Sequence, residues 1–308
     1  MTKTDYDLVI IGGGPAGLTA GMYAARARLN VVLIEMAAPG GQVLVTDWVE
    51  NYPGFPEGIT GFDLVDKMAE QAKKFDLEII TDEVMSLDTS NPVKKIKLSE
   101  KEITCHAVII TTGASPKKLG VPGESNFFGK GISFCATCDA PFFKEKTVVA
   151  VGGGDTAVQE AVFLTKFVNK VYLVHRRDEL RATKILQERA FANDKIEFVW
   201  DSVVTGFEGL FGIDGVNVKN LKTNEEKKIA ADGCFIWVGI DPNTTWLGDS
   251  VETEYGFIVV NDHMETSVPG VFAAGDVRKT PLKQIVTAVG DSAIAAVSAE
   301  HYLDNLER

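Results

Sequence analysis

The chain has 308 residues, 45% of them hydrophobic, and a formal net charge of −12. That length supports one large or two medium domains, each with its own core. The acidic balance argues against nucleic acid and anionic membranes as partners, since both are read by basic patches, and no apolar stretch approaches the ~20 residues that cross a bilayer.

The N-terminus, "MTKTDYDLVIIGGG", lacks a basic segment and a cleavable apolar core, so it reads as a first β-strand and not a signal peptide. A cytoplasmic location is expected, where a Cys-x-x-Cys is more often catalytic or metal-binding than structural. From Asp5, "DYDLVIIGGGPAGLTAGMYAARARLNVVLIE" predicts strand, glycine turn, Ala-rich helix and second strand. Gly12, Gly14 and Gly17 stand in G-x-G-x-x-G spacing. Gly12 permits the tight turn, Gly14 the approach of a pyrophosphate, and Gly17 close packing of helix on strand. The helix N-terminus offers N–H groups to that phosphate. Glu35 ends the second strand, placed for a ribose hydroxyl. A glycine-rich turn without ligand is the plainer alternative.

Further on, "SFCATCDAP" carries Cys135, Cys138 and Asp139. A metal clip, a structural disulfide and a redox centre are all open from the pair alone. Zinc would need two more ligands. Cys105 and Cys234 are single, in separate apolar strands, and the four histidines are scattered, so no metal is expected. A disulfide closing so short a loop restricts the unfolded chain little.

From Lys146, "KTVVAVGGGDTAVQEAVFLTKFVNKVYLVHRR" repeats the first unit at an offset of 140 residues, Gly12 to Gly152. Gly152, Gly154 and Ala157 fill the glycine pattern, with alanine an accepted third member. Where the first unit has Glu35, the second has His175, followed by Arg176, Arg177 and Arg181. A carboxylate there would repel a 2′-phosphate and guanidinium groups bind it. The first turn therefore suits a free ribose diol and the second NADPH; a solvated helix start with local ion pairs is the bland reading of the charge run. In the C-terminal stretch "VFAAGDVRKTPLKQIVTAVGDSAIAAV", a short strand leads to Gly275-Asp276 and a long helix from about Gln284. A buried Asp there can accept a bond from the ribityl chain of FAD, and the helix can point its positive end at the flavin.

"GGGPAG", "GGQ", "ENYPGF", "CATCD", "GGGDTA", "HRRDELRA" and "VFAAGDV" occur in an order that resembles the low-molecular-weight thioredoxin reductases over nearly the whole chain. The resemblance implies an α/β fold of two dinucleotide-binding, Rossmann-like, three-layer domains, the NADPH domain inserted into the FAD domain. It implies FAD segments at 1–115 and 243–308 and an NADPH segment, with the cysteine pair, at 116–242. "TTGASPKKLG" and "WVGIDPNTTW" then read as paired linkers. The FAD contacts implied are Gly12, Gly14, Pro15, Ala16, Gly17, Glu35, Gly41, Gln42, Asn51, Gly275, Asp276, Gln284 and Ile285. For NADPH they are Gly152, Gly154, Asp155, Thr156, Ala157, His175, Arg176, Arg177 and Arg181.

By the same resemblance, Cys138 takes electrons from reduced flavin, Cys135 attacks the disulfide of thioredoxin, and Asp139 moves protons, a role that needs a pKa raised by partial burial; a helix or turn cap is the plainer reading of Asp139. A redox pair beside two nucleotide sites has a use, because hydride electrons passed through FAD can reduce a disulfide. A homodimer is implied, and rotation of the inserted domain about Ser115–Pro116 and Ile240–Pro242 is expected. Unlike the glutathione reductase branch, Gly41 is followed by Gln42 with no cysteine nearby. Ala140-Pro141 and Ser292 depart from the usual family residues. A dithiol oxidase, a ferredoxin-type carrier-fed reductase and a non-catalytic NADPH sensor are the alternatives; the arginine cluster counts against the first two and the cysteine pair against the third.

Overall fold

Val/Ile runs flanked by glycine turns build the frame of a computed structural model that describes residues 2–46 and 48–307, without the side chains of Val45, Thr137, Cys138 and Glu307. Strand β1 (Tyr6–Ile11) buries its last four residues, as a parallel strand covered on both faces must. Helix α1 (Pro15–Arg26) starts with proline at its first turn, where the missing N–H costs no bond. A Cβ on Gly17 would lie 1.8 Å from the Gly12 carbonyl oxygen, and Gly12 itself has φ +103°. Neither position accepts a side chain without moving the turn. Strand β2 (Val31–Glu35) leads to α2 (Gly61–Lys73), whose N-cap Thr60 accepts a bond from the Asp63 N–H.

Strands β3 (Glu78–Thr81), β4 (Ser86–Asp88), β5 (Lys94–Lys97) and β6 (Glu102–Ile110) complete a sheet of order β3-β2-β1-β6-β5-β4. The pairs among β3, β2, β1 and β6 are parallel, and β5 and β4 extend the sheet antiparallel. Strand β7 (Ala114–Pro116) leaves this unit.

The inserted unit opens with α3 (Glu124–Phe127), β8 (Ile132–Ser133) and α4 (Ala136–Asp139). It continues through β9 (Thr147–Val151), α5 (Asp155–Leu164), β10 (Lys170–Val174), α6 (Lys184–Phe191) and β11 (Ile196–Val199). Strands β12 (Ser202–Glu208), β13 (Gly215–Asn220) and β14 (Glu226–Ala230) form an antiparallel sheet. Strand β15 (Gly233–Ile236) returns to the parallel sheet, of order β11-β10-β9-β15-β8. Helices cover one face of that sheet through Val158, Ala161 and Leu186. The antiparallel sheet covers the other through Val204, Val216 and Ile229.

Strand β16 (Ile240–Pro242) pairs with β7, so both crossings run side by side. Asn243 fastens them: its amide donates to the Thr112 carbonyl at 2.8 Å and its Oδ1 accepts from Ser115 at 2.7 Å. After the small hairpin β17 (Thr253–Glu254) and β18 (Phe257–Ile258), strand β19 (Val271–Ala273) joins β6 in parallel. Helix α7 (Ile285–Glu307) ends the chain's described course. Its Ser292 is fully buried and donates to the Ala288 carbonyl at 2.7 Å, so the hydroxyl is satisfied inside the helix.

The compact units are the residues up to Ser115 with those from Asp241, and Pro116–Ile240. Each is a layered, Rossmann-like α/β domain, the second inserted in the first. Fully buried side chains such as Leu8, Ile10, Leu33 and Ile109 contribute about 1.5–3 kcal/mol each. No helix among the described residues is long and apolar enough to cross a membrane.

Candidate active site

Both glycine turns sit at the same place on their sheets. The last pairs of the two strand ladders are Ile11–Ile34 and Val151–Val174. Glu35 and His175 each follow their ladder by one residue. From there each side chain reaches back over the middle glycine of its turn, Gly13 or Gly153. One backbone device thus presents two different chemistries.

In the first unit the turn opens on a cleft of about 460 Å³. Gly12, Gly14, Pro15, Ala16, Glu35, Gly41, Gln42, Asp276, Gln284 and Ile285 line it. Gly17 lies behind the turn against Gly12, and Asn51 joins through its amide, which donates to Gln284 Oε1 at 2.9 Å. No side chain caps the N-terminus of α1, which leaves its first-turn N–H groups for an anion. Glu35 accepts bonds from the N–H groups of Gly13 and Ala37. Its carboxylate is thereby held at the end of the cleft, able to accept a hydrogen bond from a hydroxyl and hostile to a phosphate. These features fit FAD: a glycine cradle for pyrophosphate, an acceptor for the ribose diol, and Asp276 at the other end.

Asp276 is half-buried, and burial pushes its carboxyl above the usual carboxylate range; Lys283 pulls it back and Asp291 pushes it further. The turn that carries it is tied down on two sides. Arg278 grips Asp291 of α7 through Nε and a terminal nitrogen, both at 2.7 Å, and the Gly275 N–H donates to the same carboxylate at 3.3 Å. Lys283 Nζ donates to the carbonyls of Asp276 and Arg278 at 3.0 and 3.2 Å and lies 4.0 Å from the Phe257 ring centre. Sequence reasoning missed Arg278, Lys283 and Asp291. One signal was available: Asp291 interrupts an apolar helical run, and such an acid needs a partner. It also missed Asp82, Glu83, Val84, Thr112, Asn243 and Trp246 on the cleft wall. The segment of Asp82, Glu83 and Val84 carries no motif, and those of Thr112, Asn243 and Trp246 read only as linkers.

In the inserted unit, Gly152 has φ +145° and Gly154 is the uncapped N-cap of α5. Thr156 is exposed on the first turn, and Ala157 is buried below it. The Asp155 carboxylate accepts the Thr183 N–H at 2.6 Å, and the Gly153 carbonyl accepts from Arg181 and Ala182. The 175–183 loop is thus folded back onto the glycine turn. His175 is 4% exposed, and its Nε2 is buried without a hydrogen-bond partner. Burial, then the charges of Arg181, Arg177 and Arg176, hold its pKa below the ordinary histidine value, so the ring is neutral at pH 7. Arg176, Arg177 and Arg181 are exposed and form no ion pair among the described residues. An uncapped helix N-terminus, a neutral ring in place of the carboxylate and three unpaired guanidinium groups together fit a nicotinamide dinucleotide with a 2′-phosphate.

The cysteine motif belongs to the same unit. Cys135 is half-buried and disulfide-bonded. Its N–H donates to Ser133 Oγ at 2.9 Å, and Ser133 donates back to the Cys135 carbonyl. Trp237 connects motif and glycine turn: its indole donates to the Phe134 carbonyl at 3.0 Å, and its own carbonyl sits over Gly152. Asp139 is half-buried on α4, its N–H donating to the Cys135 carbonyl at 3.3 Å; Ala140 and Pro141 continue in a 3-10 turn. The expected role of Cys138 rests on a side chain outside the described residues. Cys105 and Cys234 are free and buried, with thiols pushed up by burial, Cys105 to about 12. Neither is a nucleophile at neutral pH.

The sequence family of pyridine nucleotide-disulphide oxidoreductases matches residues 6–292. The thioredoxin reductase of Bacillus subtilis is 48% identical over 98% of this chain and 96% of its own. The crystal structure of Lactococcus lactis thioredoxin reductase superposes with a TM-score of 0.95 at 44% identity, covering 98% of this chain and 100% of that one. That of T. acidophilum thioredoxin reductase gives 0.92 at 38% identity, covering 99% and 100%. The chain therefore belongs to the pyridine nucleotide-disulphide oxidoreductases and, within them, to the thioredoxin reductases, flavoprotein oxidoreductases that use FAD and NADPH.

Proposed function

We propose that the chain reduces the disulfide of thioredoxin, with NADPH as electron source, through FAD and the Cys135/Cys138 pair. The balance is NADPH, a proton and a protein disulfide in; NADP⁺ and a protein dithiol out. The observation that carries the reading is the joining, in one unit, of disulfide-bonded Cys135 to a glycine turn rimmed by unpaired arginines.

When bound, NADPH supplies a hydride and FAD relays its electron pair. The chain's own residues divide the remaining work. Glu35 would hold the adenosine ribose of FAD, the α1 N-terminus its pyrophosphate, and Asp276 its ribityl chain. Arg176, Arg177 and Arg181 would hold the 2′-phosphate of NADPH, and neutral His175 stands where a carboxylate would repel it. Cys135, freed as a thiolate, attacks the partner's disulfide, Cys138 resolves the mixed disulfide, and Asp139 moves the proton.

The inserted unit carries Cys135 and the arginine-rimmed turn; the other carries the flavin cleft. We infer that the inserted unit turns about the β7–β16 ribbon in each cycle, since its arginine-rimmed turn and its cysteine pair would each have to be served by the cleft of the other unit. A homodimer is supported by the exposed apolar side chains Val286, Ile294 and Val297, which recur on one face of α7. The reaction suits the reducing cytoplasm. A dithiol oxidase or a carrier-fed reductase has no use for the arginine cluster. The deciding assay follows NADPH absorbance with purified protein and thioredoxin. Thioredoxin-dependent NADPH loss supports the proposal; thiol-dependent oxygen uptake without NADPH turnover replaces it.

A further inference from the structure

The run "HRRDELR" sets two acids among three arginines. Local pairing would be the ordinary outcome, and it would blunt the cluster. The structure avoids it. Asp178 pairs with Lys222 across 44 residues, Nζ to Oδ2 at 2.9 Å. The same Nζ lies 3.0 Å from Asp201 Oδ2. Asp201 belongs to this neighbourhood because its N–H donates to the Arg177 carbonyl at 3.1 Å.

Lys222 is presented by a built turn between β13 and β14. Asn220 Oδ1 accepts from the N–H groups of Lys222 and Thr223, both at 2.9 Å, and the Leu221 N–H donates to the Asp201 carbonyl at 2.6 Å. The ammonium is therefore anchored from below to the segment it neutralises. The electrostatics follow the geometry: Lys222 and its hydrogen bond hold the Asp178 carboxyl below its usual range, and both acids hold the ammonium above its own.

We propose that Lys222 is a positioning residue for cofactor choice, engaging Asp178 and Asp201 so that neither pairs with Arg176, Arg177 or Arg181 nor repels an incoming ribose 2′-phosphate. The inference rests on the reading of the arginine cluster as a 2′-phosphate site. Without Lys222, the carboxylates of Asp178 and Asp201 lose their shared counter-ion beside the arginine run. Lys222 and Asp178 are largely exposed, with Asp201 more sheltered, so the effect is modest and salt-sensitive.

The test is a cycle of Lys222→Met, Asp178→Asn and the double variant in the FAD-loaded enzyme, titrated calorimetrically with adenosine 2′,5′-bisphosphate and with 5′-AMP. At low ionic strength Lys222→Met weakens the bisphosphate about three- to tenfold and leaves 5′-AMP unchanged. Adding Asp178→Asn restores part of the lost binding, Asp201 being left without its partner, and Lys222→Arg retains it. In turnover, KM for NADPH rises and kcat does not fall. Unchanged bisphosphate binding in Lys222→Met overturns the inference alone. So does a double variant as weak as Lys222→Met, which would mean that the ammonium acts on the phosphate directly. A wild-type enzyme with no preference for the bisphosphate over 5′-AMP overturns it together with the reading of the cluster.

Discussion

Asp291→Asn tests whether the Asp276 turn is held by charge. The substitution keeps the shape of the side chain and removes the counter-ion of Arg278. Arg278 and Asp291 expose 16% and 10% of their side chains, so the pair is screened little. Removing one partner of a buried pair costs about 3–5 kcal/mol. Arg278 still donates to the Lys279 carbonyl at 3.3 Å, which places the expected loss at about 3 kcal/mol. For a unit of this size that lowers the apoprotein melting temperature by about 6–12 °C. FAD should bind more weakly as well, because the Gly275–Arg278 turn loses its tie to α7. Scanning calorimetry of apoprotein and flavin-fluorescence titration read the two effects separately. Arg278→Met with Asp291→Leu should recover most of the melting temperature, since replacing both charges by apolar groups is often near neutral. An Asp291→Asn apoprotein melting within a degree of wild type would refute the account. So would a double variant that loses as much as the single one.

Cys135→Ser should abolish thioredoxin reduction while NADPH still bleaches the flavin, and Cys138→Ser should do the same; full activity in either removes the pair from the electron path. Neutralising Arg176, Arg177 and Arg181 together should raise KM for NADPH on the order of a hundredfold with NADH nearly untouched, and equal losses would make the cluster structural. Asp276→Asn should stabilise the apoprotein at neutral pH yet weaken FAD binding. The sign follows from burial, which raises the folded-state pKa: this group's stability contribution is present below the unfolded-state pKa and lost as pH rises through the folded one. The advantage of the asparagine should therefore vanish below about pH 4, and a lower apoprotein melting temperature at pH 7 would contradict it. Cross-linking the inserted unit to the other should stop turnover while sparing one half-reaction; cycling at the native rate would dispose of the rotation.

The parts of the site written in local spacing are legible in the sequence alone. The offset of 140 residues between the glycine turns reappears in the register, Ile11–Ile34 against Val151–Val174, because strand, turn and helix are set by neighbours in sequence. The exchange of Glu35 for His175 was readable for the same reason. What escaped depends on contacts between distant segments. Arg278 and Asp291 meet because a turn and a helix pack together, and Lys222 reaches Asp178 from another sheet. Asp155 shows a different limit. Its place in "GGGDTA" suggested a ligand contact, and the carboxylate holds the Thr183 N–H, a bond whose acceptor is in the motif and whose donor is not.

The β7–β16 ribbon has a consequence for the chain as a genetic object. The inserted unit begins and ends at adjacent points, tied by the Lys117 N–H to the Gly239 carbonyl at 2.9 Å. A segment whose ends meet can be excised and the gap closed by a short turn, or replaced by another domain with the same spacing between its ends. Residues 116–240 should therefore express as a free-standing nucleotide-binding module, and the remainder, joined from Ser115 to Asp241, as a flavin-binding one.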